Sequence, residues 1–109
     1  TLREELVQIV HDYEYVSFRE LTRRFFASET GSLSLELDGY ENLLVWANVS
    51  ADLIEAINEA LERKEVFLGP ASDLTYLTDG GGLNLPEAKK LQSYKSPHWV
   101  KMVLQRTPA

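Results

Sequence analysis

The chain has 109 residues, which is room for one domain built on one hydrophobic core. Its 44% hydrophobic and 26% charged residues are the balance of a folded globular protein rather than a disordered one. The absence of cysteine excludes disulfides and thiolate metal sites, and the net charge of −6 conceals an uneven distribution. Residues 86–109 carry Lys89, Lys90, Lys95, Lys101 and Arg106 against Glu87, a balance of +4 that leaves −10 for residues 1–85. Such a split suits a basic tail that touches an anion, or one that packs on its own acidic body, and the sparse spacing favours packing. No apolar run approaches the roughly 20 residues of a membrane span. The opening TLREEL is too charged for a signal peptide, so a cytoplasmic protein without membrane contact is expected.

In chain order, Leu2, Leu6, Ile9, Val10 and Tyr13 form one stripe at helical spacing, and Thr1 with Glu4 has the spacing of a capping box. Tyr15-Val16-Ser17 reads as a short extended piece. A second box, Ser17 with Glu20, opens a helix over about 18–27 that buries Phe18, Leu21 and Phe25. Leu33, Leu35 and Leu37 alternate with polar residues between Gly31 and Gly39, which is strand periodicity. From Tyr40 the period changes, and Tyr40, Leu43, Leu44 and Ala47 suit one face of a helix over 40–47. Ser50 is a good N-cap for a helix over 51–64 that buries Leu53, Ile54, Ile57 and Leu61. Val66–Leu68 and Leu74–Thr78, separated by the turn-forming residues 69–73, predict a hairpin. Asp79-Gly80-Gly81-Gly82 reads as a flexible loop. Pro86 is placed to start a short helix to about Gln92, and Trp99–Leu104 is a last apolar strand.

Helix, short strand, helix, turn, longer helix and hairpin resembles a winged helix-turn-helix domain. The residues that carry the resemblance are 43–66, LLVWANVSADLIEAINEALERKEV. Leu43, Leu44 and Ala47 look like the first helix of the motif, and Asn48 stands where glycine is common. Asn tolerates the positive φ such a turn needs. Val49-Ser50 matches the hydrophobe and N-cap, and Ile54, Ile57 and Leu61 resemble the buried side of the second helix. Two segments, 18–27 and 40–47, compete for the place before that helix, and 40–47 is preferred because the turn adjoins it. The resemblance implies an α+β fold: a winged-helix-like core of three to four helices with a β-hairpin wing over 1–79. Residues 80–109 would be a C-terminal helix and strand extension packed on the same domain.

Winged-helix proteins that bind DNA set the second helix of the motif in the major groove. Here the outward face of that helix is centred on Asp52, Glu55, Glu59 and Glu62, four carboxylates and no base. Affinity for DNA comes largely from basic side chains that release counterions, so this face opposes it. It suits a basic protein partner, or is a solvated helix face. The alternative is a DNA-binding regulator that uses Arg19, Arg23, Arg24 and the C-terminal lysines, although those arginines can equally pair with the domain's own acids. His11 reads as exposed or capping, and His98, in Ser-Pro-His-Trp, as a packed anchor. A pocket at His98 is the enzyme alternative, and seventeen acids leave room for an acid/base pair of carboxylates, but nucleophile elbow, metalloprotease and P-loop motifs are all missing. The expectation is a non-enzymatic module for protein–protein interaction in regulation, with no cofactor or metal. A homodimer through the edge of Trp99–Leu104 is one form that interaction can take.

Overall fold

The computed structural model describes residues 1–25 and 30–108. The three predicted N-caps, Thr1, Ser17 and Ser50, form where the sequence places them. Thr1 and Glu4 close a full capping box at the head of α1, Leu2–Tyr13. β1, Tyr15–Ser17, leads into α2, Phe18–Arg24, where the Ser17 hydroxyl accepts from the Glu20 backbone N–H. The Glu20 side chain does not reach back to the cap; it is held by Arg23 and Arg24 instead. Phe25 ends α2, so the expected helical residues 26 and 27 lie outside the described part.

β2, Thr30–Glu36, contains Leu33 and Leu35 of the alternating leucines, with Leu37 just past its end, and its antiparallel partner is β3, Leu43–Val49. This corrects the helix expected over 40–47. Leu43 to Trp46 are all buried, and a continuous apolar run carries no period that separates a helix from a fully buried strand. The chain reverses over residues 38–42, with Gly39 and Asn42 at positive φ, and so returns as a strand beside β2. Gly39 takes φ 89°, and the Leu37 N–H reaches the Leu43 carbonyl across the turn. Asn48 does adopt positive φ, at 58°, but within a strand and not between two helices.

Ser50 caps α3, Ala51–Glu62, by accepting from Leu53 N–H, and Leu53, Ala56, Ile57 and Ala60 are its buried side. Ile54 and Leu61, expected in the core, are only partly covered. After β4, Phe67–Pro70, the predicted second strand of the hairpin is a helix, α4, Asp73–Asp79. Ser72 caps it through Thr75 N–H, and Gly80 at φ 114° closes it, so a cap and a left-handed terminus outweigh the β propensity of Leu74–Thr78. No hairpin wing forms over 65–78. The helix expected at 86–92 is also missing. Pro86 carbonyl and Ala88 N–H are spent on the backbone of Trp99, which draws this stretch out beside it.

The segment expected as one strand over 99–104 is split into β5, His98–Trp99, and β6, Met102–Gln105. β5 lies parallel to β3 in the sheet β2-β3-β5, whereas β6 is the middle strand of the sheet β1-β6-β4. Between them Lys101, its side chain only 13% exposed, pairs with Asp73 and with Glu87 Oε1 at 3.1 Å. The described residues thus make a mixed α+β structure of four helices and two three-stranded sheets. Leu104, fully buried, is paired to Val16 on one side and Leu68 on the other. Residues after 80 supply the centre of one sheet and so are not an appendage. The edge proposed for a homodimer is consumed inside the fold: β6 has neighbours on both sides, and Trp99 of β5 is bridged by Glu87.

Both ends of the chain meet at one hub. Trp46 of β3 stacks on Tyr76 of α4 at 5.7 Å, and Tyr76 meets the Trp99 ring edge-on at 4.9 Å. Gly82 lies flat against the Trp99 indole, where a Cβ would come within 2.0 Å of a ring carbon. That contact, and the Gly80 terminus, explain why the glycine run is structural and not a free loop. The Tyr76 hydroxyl donates to the Met102 carbonyl and accepts from Phe18 N–H, and burial pushes its pKa up to about 12. Ser17, also buried, donates to Asp79 Oδ2 at 2.6 Å while it caps α2.

Candidate functional site

The four carboxylates singled out on α3 emerge on one side of that helix because its apolar residues are claimed by the core opposite. Asp52, Glu55 and Glu62 are exposed, with Asn58 among them, and Glu59 is partly covered. Glu59 pairs with Arg63 Nη2 at 2.8 Å and lies 3.8 Å from Arg3 Nε. Arg3 is held mainly by Glu65, whose hydrogen bond raises the guanidinium pKa. Among the described residues Asp52, Glu55 and Glu62 form no ion pair. Asp52 sits in the first turn, where the helix dipole favours an anion by roughly 0.3–1 kcal/mol. Glu62 sits at the opposite end, with no basic residue in the last turn, where the dipole opposes it. The helix gains nothing from that last charge.

What sequence reasoning missed is the strand beside this face. Gly31 brings β2 so close to the start of α3 that a Cβ there would lie 2.5 Å from the Val49 carbonyl oxygen. The crossing sets Leu33, 48% exposed, beside the helix. Together Leu33, Ala51, Ile54, Glu55, Asn58, Glu59 and Glu62 line an open groove of about 630 Å³. The groove has an apolar floor and carboxylate walls. No signal in the sequence gave this: regular alternation would put Leu33 on the same face as the buried Leu35, and the pairing of β2 with β3 shifts register between the two.

The cationic residues fare differently. Arg19 donates to the carbonyls of Gly81, at 3.0 Å, and Gly82, and its guanidinium lies 5.2 Å from the Trp46 ring centroid. Arg23 and Arg24 share the single carboxylate of Glu20, and Arg24 also covers the Tyr13 ring at 4.8 Å. The three do not form a free basic cluster. Of the C-terminal lysines, Lys101 is locked between sheets, whereas Lys89, Lys90 and Lys95 are exposed on the irregular stretch 85–97. This lobe is pinned: Glu41 N–H donates to Ser93 Oγ, and Asn42 Nδ2 donates to the Tyr94 carbonyl.

Both histidine rings lie against backbone carbonyls. His11 Nε2 is 2.8 Å from the Glu65 carbonyl oxygen. His98 stacks on Tyr94 at 3.8 Å with Nδ1 2.8 Å from the Ser96 carbonyl oxygen. Among the described residues no cluster of His, Asp or Glu could hold a metal ion, and no helix is long and apolar enough to cross a membrane. The open cleft beside His98 is lined by Glu87, Lys89, Lys90, Gln92 and Tyr94. Compared with known proteins, the chain matches no family, no curated protein and no solved structure.

Proposed function

We propose that this chain is a non-enzymatic interaction module whose α3 groove receives a basic segment of a protein partner. The observation that carries the proposal is the groove itself: unpaired Glu55 and Glu62, with Glu59, surround an apolar floor of Leu33 and Ile54. A lysine- or arginine-bearing segment with one apolar side chain would satisfy both parts. The carboxylates would steer it and the floor would bury the apolar group. Duplex DNA would meet the same carboxylates as like charge.

The architecture behind this reading is a winged-helix variant. Its support is the order α1, β1, α2, α3, followed by two strands, β4 and β6, that pair antiparallel. In this reading α2 precedes the longer helix and β2–β3 is inserted between them, while residues 71–101 replace the short wing turn.

Fluorescence anisotropy with a labelled synthetic peptide of alternating Lys and Leu tests the groove. Binding should weaken about tenfold or more between roughly 50 and 300 mM salt, and vanish in the double variant Glu55→Lys, Glu62→Lys. Binding that ignores the charge reversal overturns the proposal. The runner-up, a DNA-binding regulator, draws on the exposed Lys89, Lys90 and Lys95 together with Arg23 and Arg24, Arg19 being engaged internally. Salt-dependent duplex binding lost in the double variant Lys89→Glu, Lys90→Glu and unaffected by Glu55→Lys would put it first.

A further inference from the structure

The molecule carries its own candidate for the groove. The lobe 85–97 presents Leu91, 57% exposed, directly after Lys89 and Lys90 and four residues before Lys95. An exposed leucine flanked by three lysines that form no ion pair among the described residues is the chemical counterpart of Leu33 and Ile54 beside Glu55, Glu59 and Glu62. The lobe is also ordered in advance. Ser93 and Tyr94 are hydrogen-bonded to Glu41 and Asn42, and the Tyr94 hydroxyl donates to the Lys90 carbonyl at 3.1 Å. A pinned segment loses less conformational freedom on docking than a free tail.

We propose that the α3 groove of one copy takes the Lys89-Lys90-Leu91 lobe of a second copy. This rests on the reading of the groove as a protein-binding surface and names its occupant. Two copies repel through their net charge of −6 each, but salt screens that repulsion beyond about 8 Å at physiological ionic strength, while charges in contact keep their attraction. The two surfaces are different patches of the same chain. Association therefore either closes through two reciprocal contacts or propagates head to tail into a ring or chain.

Sedimentation velocity on the whole chain tests it. At about 50 mM salt the weight-average mass should rise with concentration to about twice the monomer's 12.4 kDa or more, and fall back at about 500 mM. The variants Glu55→Lys/Glu62→Lys and Lys89→Glu/Lys90→Glu should each stay monomeric alone. Mixed in equal amounts they should associate again, because the intact acidic groove of one then meets the intact basic lobe of the other. Leu91→Asp, at an exposed position, should abolish association while binding of the Lys/Leu peptide to the groove persists. A wild-type chain that remains monomeric at low salt overturns the self-association, and so does association that survives either charge reversal alone. Retained peptide binding in those cases leaves the groove reading standing, and lost peptide binding removes both.

Discussion

The aromatic hub and the outer face of α3 treat charge in opposite ways. At the hub each charged group that approaches the core has a partner. Arg19 is held by two glycine carbonyls and an indole face, Asp79 by the buried Ser17 hydroxyl, and nearby Lys101 by two carboxylates. On α3 the core takes Leu53, Ile57 and Ala60 from one side and leaves Asp52, Glu55 and Glu62 without ionic partners among the described residues on the other. Burial makes an unpaired charge costly, whereas exposure lets it stand at almost no cost. Charges that serve the fold are therefore the paired ones, and charges available to another molecule are those that the fold has left alone.

Substitutions that divide the two regions by their effect on stability sharpen this comparison. The largest loss is expected for Trp99→Ala, about 3–5 kcal/mol in urea denaturation, because it empties the space shared by both sheets. A loss below about 1 kcal/mol would break the assignment of this hub as the junction of the fold.

Alkali should act next, through Tyr76. Its pKa in the fold lies at about 12 against an ordinary 10.0, raised chiefly by burial. The unfolded chain therefore loses the phenolic proton first. Stability is unaffected below pH 10 and declines between pH 10 and about 12, by roughly 3 kcal/mol in total. Tyr76→Phe should flatten that part of the alkaline limb, and a wild-type limb with the same slope would refute the assignment.

Ser17→Ala should cost about 1–2 kcal/mol, since it removes the cap of α2 and the buried donor to Asp79 together. The smallest effect belongs to the other region. Glu55→Gln with Glu62→Gln should shift stability by no more than about 0.5 kcal/mol, toward gain if anything, because the dipole opposes Glu62. A loss of about 2 kcal/mol would mean that these carboxylates serve the fold and are not free for a partner.

Much of the local structure was legible. Thr1, Ser17 and Ser50 announced three helix starts, and each hydroxyl accepts the backbone N–H three residues on. The fourth helix was not: the β-rich letters of Leu74–Thr78 predict a strand, and the Ser72 cap and the Gly80 terminus show only in the structure. The acidic face of α3 was legible from spacing alone. Its groove was not, because Leu33 arrives from a strand whose path depends on Gly31 lying against the Val49–Ser50 backbone.

Where α1, α2 and α3 begin, which side of each turns inward, and which sign of charge α3 presents were all determined by the amino-acid order. Each follows from interactions within a few residues, where caps and a 3.6-residue period act without distant help. Which apolar run becomes a central strand was decided only in three dimensions. Val103 and Leu104 pair at once with residues 16–17 and 68–69, and Trp99 finds its neighbours in Trp46, Tyr76 and Gly82. Such partners lie tens of residues away in the chain, so no local periodicity can encode them, and their pairing is settled by shape and burial when the core closes.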